Sequence, residues 1–194
     1  MTRLPKRQLL RINRYLLKLY ATRSVDALRR FIPAGAARLI ASDRASFNEF
    51  DPAAGRNYIL PSPVPAYWSR FGPVILAHMH EHPLAGCPCP VAPHEPRTYS
   101  DFHDVPEWRH STLYHEYYLP VGARHQLFVH LGSIGTVRYS LAFNRQLKDF
   151  SAEDRAVLEL ISPHVASAWQ QTMEYHRWQR QCLAVPLAAE PAFR

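Results

Sequence analysis

The sequence contains few cysteines, few glycines and no long run of apolar residues. Its three cysteines, Cys87, Cys89 and Cys182, are too few and too unevenly spaced for a disulfide framework. Its seven glycines form no glycine-rich phosphate loop, which argues against nucleotide binding. Because no apolar run reaches about 18 residues, we expect no membrane span and no membrane partner. A reducing cytoplasm is the expected location.

Acidic residues are almost missing from the first 30 positions. That region holds only Asp26, against nine of the chain's 23 lysines and arginines, so the net charge of +7 is concentrated there. Arg7, Arg11, Arg14 and Lys18 recur at helical spacing. Such a stripe is typical of a solvated helix face. The alternatives are an anionic partner, such as nucleic acid or a membrane surface, and an organellar transit peptide.

Catalytic motifs are also missing, because no serine or cysteine lies in a recognisable nucleophile elbow. Acid–base chemistry is suggested only by a cluster of Asp and His side chains: Asp101, His103, Asp104, His110 and His115. We expect Asp101 to cap a helix that begins near Val105. The prediction is therefore a protein that is not an enzyme.

A metal site is suggested by six potential ligands within a short segment: His78, His80, His82, Cys87, Cys89 and His94. The spacing is poor for it, because Cys87-Pro88-Cys89 is C-x-C and its prolines are rigid. We expect no metal and no cofactor. A metal or redox sensor centred on residues 78–94 is the alternative.

Apolar periodicity and helix-breaking residues predict the secondary structure of the first half of the chain. We expect helices at 5–20 and at 25–31, the second ending before Pro33. Residues 37–50 and 56–60 are predicted to form a hairpin around a turn at 51–55. A helix at about 65–80 is kinked or split by Gly72-Pro73, and the five prolines of residues 83–96 predict a stiff loop.

The second half is predicted in the same way. Residues 104–118 form short aromatic-rich helices, and 126–132 pairs with 136–143 through a connection at 132–135. Ser151 and Asp154 form a capping box that starts a long final helix, kinked at Pro163 and reaching about Trp178. This order predicts an α+β fold in which helices lie on both faces of an antiparallel sheet and the terminal helices pack together. The domain spans 1–178, and 179–194 is a disordered tail.

Five segments carry a family resemblance by their order and spacing. They are residues 43–50, 80–84 (HEHPL), 100–102 (SDF), 113–122 with 126–127, and 141–145 with 149–151. Together they resemble the GAF-like sensory domain that precedes the DNA-binding domain in many LuxR-type bacterial transcription regulators. The resemblance implies a signal-sensing domain whose terminal helices form a dimer interface.

A ligand pocket is then expected between the short helices and the sheet, apolar with a few polar groups. Its predicted residues are His80, His82, Asp101, Trp108, Tyr114, Tyr117, Tyr118 and Gln126. The alternative for the aromatic residues is core packing alone.

The expected partners are an unidentified small molecule and a second copy of the chain. Heterodimers with a full-length regulator are a further expectation. LuxR-type regulators carry a helix-turn-helix domain after the sensory domain, and residues 179–194 show no such pattern, so we expect no direct DNA binding by this chain. An interaction module without a ligand is the remaining alternative.

Overall fold

The computed structural model describes residues 3–83, 92–102 and 106–184 of the chain. The elements run α1 (Lys6–Ala21), α2 (Val25–Leu39), β1 (Arg44–Asp51), β2 (Arg56–Ser62), α3 (Trp68–His78), β3 (Arg97–Thr98), α4 (Pro106–Arg109), β4 (His125–Ile134), β5 (Val137–Arg145) and α5 (Ala152–Ala184). Single 3-10 turns lie at Met79–Glu81 and Tyr99–Phe102, and a π-helical turn lies at Tyr114–Tyr118.

The strands form one antiparallel sheet in the order β2-β1-β5-β4-β3. Helices α1, α2 and α5 cover one face, and α3, α4 and the single turns cover the other. Each face carries its own buried core, because alternate strand residues point to opposite sides of the sheet. The predicted α+β architecture is confirmed. None of the helices in the described ranges is long and apolar enough to cross a membrane.

The terminal helices pack together as predicted. Tyr20 of α1 hydrogen-bonds through its hydroxyl to Nδ1 of His164 in α5, at 3.0 Å. Gln8 donates from Nε2 to the carbonyl of Leu39 at 3.0 Å, and Arg11 donates to the carbonyl of Arg38. These contacts satisfy carbonyl groups that the end of α2 would otherwise leave without partners.

Helix α2 does not end before Pro33, contrary to the prediction. It continues to Leu39, so part of the segment predicted as strand is helical and β1 begins only at Arg44. The physical reason is packing: Leu28, Ile32 and Ala36 lie on one face of α2 and are fully buried in the core. That burial outweighs the one helical hydrogen bond that proline removes.

The second hairpin turns later than predicted. Strand β4 runs through Gly132 to Ile134, and only Gly135 and Thr136 form the turn. The register shifts between His130 and Gly132, where Gly132 has φ +104°. A glycine at such a bulge is part of the strand, whereas the sequence favoured it as the start of the loop.

The chain stays helical at two prolines, at one of which the sequence predicted a kink or a split and at the other a kink. Helix α3 includes Pro73 and α5 includes Pro163. The capping box of α5 is confirmed, since the Asp154 N–H donates to Ser151 Oγ at 3.2 Å and the Ser151 N–H donates to Asp154 Oδ2 at 2.9 Å. Helix α5 continues past Trp178 to Ala184, and the rest of the predicted tail lies outside the described residues.

Candidate functional site

The two faces of the sheet differ in polarity. Toward α1, α2 and α5 the central strands present apolar side chains such as Phe47 and Leu141. Toward α3 they present polar ones: Asn48 lies opposite Ser140, and Gln126 lies opposite Asn144. Burying polar groups costs free energy unless they are hydrogen-bonded, so the partners of this polar floor decide what it can do.

The buried amides of this floor are only partly hydrogen-bonded. Gln126 donates from Nε2 to Asn144 Oδ1 at 3.1 Å and to the Tyr118 hydroxyl at 3.4 Å. Asn48 donates from Nδ2 to Ser140 Oγ at 3.2 Å. The Gln126 side chain also hydrogen-bonds to His82, whereas the amide oxygen of Asn48 is buried without a hydrogen-bond partner. This oxygen can accept a hydrogen bond from a bound group.

These amides line a small space that we call the inner cavity, enclosed by the sheet, α3 and the π-helical turn. Its volume of about 30 Å³ is close to that of one water molecule. Its other walls include Arg44, Trp68, Met79, His82, Tyr117, Tyr118 and Phe128. None of its lining residues, all of which the structure describes, is an aspartate or glutamate.

His82 lies at the centre of an aromatic cluster beside this cavity. Ring centroids within 6.2 Å of its own belong to Tyr99, Trp108, Tyr118 and Phe128. Its Nε2 lies 3.3 Å from the Tyr99 hydroxyl. Burial lowers the pKa of His82 to about 3, so the ring is neutral at physiological pH.

The neighbouring tyrosines are also neutral. Burial raises the pKa of Tyr118 to about 12, and it raises the pKa values of Tyr99 and Tyr117 as well. The inner cavity is therefore lined by neutral donors and acceptors, apart from Arg44 at its edge. Arg44 is held there by donating to the carbonyl of Val121 at 3.1 Å.

On the other side of Tyr118 lies a larger space, which we call the outer cleft, with a volume of about 460 Å³. Its aromatic residues are Tyr99, Trp108, Tyr114 and Tyr118, and its rim includes Arg109, Leu119, Arg124 and Gln146. Tyr118 is therefore a wall shared by the inner cavity and the outer cleft. The turn beside it needs glycine, because Gly122 has φ +69° and a Cβ there would lie 3.2 Å from Gln146.

We call residues 106–124 the cover segment, because they close both spaces against the sheet. Glu81 anchors this segment: its Oε2 accepts the N–H of Leu113 at 2.8 Å, and its Oε1 lies 2.9 Å from His78 Nδ1. Burial acts to raise the pKa of Glu81, but the hydrogen bonds from Leu113 and His78 outweigh it and the pKa is lowered. The carboxylate is thus held in its charged, accepting form.

The structure brings six of the eight predicted site residues to these two spaces. The inner cavity is lined by His82, Tyr117, Tyr118 and Gln126, and the outer cleft by Trp108, Tyr114 and Tyr118. His80 lines neither, and its side chain is 71% exposed. Trp108, Tyr117 and Tyr118 also pack in a buried core, as the alternative interpretation from the sequence predicted.

Asp101 also lines neither space. Its carboxylate accepts from both terminal nitrogens of Arg155 in α5, at 2.9 and 3.0 Å, and from the N–H of Thr98 at 2.7 Å. Burial acts to raise the pKa of Asp101, and these hydrogen bonds outweigh it, so the pKa is lowered. The helix start near Val105 that it was expected to cap falls outside the described residues.

Several residues of the site were missed by sequence reasoning. They are Arg44, Asn48, Asn144 and Tyr99 around the inner cavity and its cluster, and Arg109 and Arg124 at the outer cleft. Asn48 and Asn144 lie among other polar residues of their strands, so no alternation in the sequence marks them. No sequence signal marks the two arginines.

The suggested metal cluster is only partly described. His78 pairs with Glu81, and His82 lies in the aromatic cluster. Cys87 and Cys89 lie outside the described residues. Within 3–83, 92–102 and 106–184, no group of three or more potential ligands is placed to hold an ion.

Comparison with solved structures finds proteins that share this fold. The VqsR LBD domain from Pseudomonas aeruginosa is similar with a TM-score of 0.63 at 14% identity, over 84% of this chain and 96% of that one. The GAF domain of a phosphoenolpyruvate-protein phosphotransferase from Coxiella burnetii is similar with a TM-score of 0.58 at 13% identity, over 88% of this chain and 96% of that one.

A third similar structure is CepR2 from Burkholderia cenocepacia, an N-acylhomoserine lactone dependent LuxR-family transcription factor. It gives a TM-score of 0.55 at 13% identity, over 90% of this chain and 98% of that one. The chain matches no protein-family model and no curated protein. The fold is GAF-like, and the structures that share it include ligand-binding domains of LuxR-type regulators, as the sequence motifs predicted.

Proposed function

We propose that this protein is a non-enzymatic sensory domain of the LuxR-type regulator class, acting in the cytoplasm. It binds a small organic molecule between the sheet and the cover segment. Binding changes how the terminal helices of two copies pair. Two structures of the same fold support a ligand here, because VqsR is named as a ligand-binding domain and CepR2 as ligand-dependent. The chemical identity of the CepR2 ligand is not part of this proposal.

The observation that carries this proposal is the polar floor of Asn48 and Gln126, where the buried amide oxygen of Asn48 has no hydrogen-bond partner. An unpartnered buried acceptor costs roughly 1–3 kcal/mol, so a protein gains stability when a bound group donates to it. Both residues line the same cavity. The proposed ligand therefore presents a hydrogen-bond donor to this polar floor.

Binding rather than catalysis fits the chemistry of the inner cavity. The pKa of His82, about 3, is far too low for a general base at neutral pH. The inner cavity is small, so a larger ligand fits it when the cover segment moves away from the sheet. A ligand that is then held under the closed segment shifts the population toward this bound state, which is the requirement for sensing.

The proposed dimer forms through the end of α5. Residues 174–183 are exposed on all sides and include Tyr175, Trp178 and Leu183, which are 50%, 58% and 86% exposed. A helical segment of this length is marginal alone in water, so a partner helix would stabilise it. We propose that the same surface allows heterodimers with a full-length regulator.

The test is native mass spectrometry of protein purified from its host, with elemental analysis of the same sample. The proposal predicts a dimer that carries an organic mass. Gln126→Leu keeps the size of the side chain but removes the amide, and it should lose that mass, whereas the exposed control Gln170→Leu should retain it. Protein without any organic mass would contradict the sensory proposal. One metal ion per chain would favour the alternative sensor in residues 78–94.

A further inference from the structure

The outer cleft has features that the proposed function does not use. Its volume of about 460 Å³ lies within the range of roughly 300–1,000 Å³ that small-molecule pockets occupy. Tyr118 separates it from the inner cavity. A ligand of this cleft therefore need not reach the amides of Asn48 and Gln126.

The floor of the cleft is a cluster of aromatic rings with Trp108 at its centre. The Trp108 ring lies 5.5 Å from that of Tyr99, 5.6 Å from that of Tyr114 and 5.2 Å from that of Tyr118, between centroids, and the rings are tilted by 43°, 72° and 69°. Aromatic rings pack favourably against one another in stacked and edge-on arrangements. An aromatic ligand can add one more ring to this cluster.

The rim of the cleft is positively charged. Arg109, at the end of α4, and Arg124, just before β4, are both exposed and both line the cleft. Neither forms an ion pair with a carboxylate in the described part of the chain. Glu107 and Glu116 are nearby in sequence but do not line the cleft.

We infer that the outer cleft binds a planar aromatic carboxylate, with the ring on Trp108 and the carboxylate between Arg109 and Arg124. A guanidinium group matches a carboxylate in geometry and donates two parallel hydrogen bonds to it. The arginines would repel a cation, and a neutral ring would leave them unused. The inference rests on the proposed sensory function only in treating the bound anion as a signal.

The test is isothermal titration calorimetry of the full chain with three aromatic carboxylates, benzoate, phenylacetate and indole-3-acetate. Indole-3-ethanol is the matched probe that keeps the ring and lacks the charge. We expect at least one carboxylate to bind, and indole-3-acetate to bind about tenfold or more tightly than indole-3-ethanol. The affinity should fall as the salt concentration rises.

The variant R109Q/R124Q removes both charges from exposed positions and should weaken carboxylate binding about tenfold or more. The matched control is R30Q, which removes an exposed charge on α2 and should bind like the wild type.

Failure of all three carboxylates to bind would overturn the inference, and so would equal binding of the neutral probe or an unchanged R109Q/R124Q variant. The organic mass sought by native mass spectrometry, and its dependence on Gln126, would still test the sensory function separately.

Discussion

At the scale of single residues, the most informative group is the buried imidazole of His82. Burial lowers its pKa from 6.5 to about 3, so the folded protein resists protonation that the unfolded chain accepts. Between those two pH values the unfolded state binds more protons. The contribution of neutral His82 to the unfolding free energy is therefore fully present above about pH 6.5. It is lost as the pH falls through this window.

This linkage predicts the behaviour of His82→Gln. Between pH 7 and pH 5, burial of neutral His82 costs the wild type about 2 kcal/mol of unfolding free energy, and the variant avoids that loss. Urea denaturation at both pH values measures the difference. His80→Gln, at an exposed position, is the control and should match the wild type. The half-buried His94 and His130 are unchanged in all three proteins, so an equal pH dependence in all of them would contradict the assignment.

At the scale of elements, the carboxylate of Glu81 in the 3-10 turn is one of the groups that hold the cover segment, beside Arg44. We predict that Glu81→Ala leaves the N–H of Leu113 without its acceptor and lowers the unfolding free energy by about 1–3 kcal/mol. Trypsin should then cleave after Arg109 and Arg124 several-fold faster under native conditions, because the segment opens more often. Glu116→Ala, exposed on the same segment, should leave cleavage unchanged. Equal cleavage of both variants would show that Glu81 does not anchor the cover.

The sequence predicted which elements exist better than where they end. Periodicity located α1 and the core of α5, and the capping box located the start of α5. The predicted ends of α2 at Pro33 and of β4 at Gly132 were wrong. Local residue preferences are outweighed by packing at Pro33 and by a bulge at Gly132. The polar floor could not be found in advance, since Asn48 and Ser140 become neighbours only through the register of β1 and β5.

The prediction of the candidate site residues has the same limit, since contacts between distant segments are not visible in the sequence. The sequence motifs identified His82, Tyr118 and Gln126, which do lie around the inner cavity. They also included Asp101, whose partner Arg155 is far away in sequence and on another element. A side chain's partner across a fold depends on the assembled topology, so a motif predicts that a residue matters better than it predicts what the residue contacts.

At the scale of the whole molecule, the sheet separates two buried cores. The core under α1, α2 and α5 is apolar, whereas the core on the opposite face, under the cover segment, also includes the polar floor. The basic stripe of α1 keeps Arg7, Arg14 and Lys18 exposed. Two copies would repel each other along that stripe, which favours α5 for the proposed dimer.

We predict that Trp178→Glu weakens this dimer by about tenfold or more, because it places a charge in an apolar contact. Sedimentation equilibrium measures the dissociation constant. His176→Glu is the matched control, since it adds the same charge on the opposite side of the exposed part of α5. A dimer that is equally stable in both variants, or a wild-type monomer, would contradict pairing through this helix.

The central claim is that a small molecule is held between the sheet and the cover segment. Hydrogen exchange tests it most directly, by comparing protein as purified from its host with the same protein after unfolding, removal of small molecules and refolding. The account predicts that residues 106–124 exchange faster once the small molecules are removed, whereas α1 and α2 do not change. Equal exchange of the cover segment in both samples would contradict it.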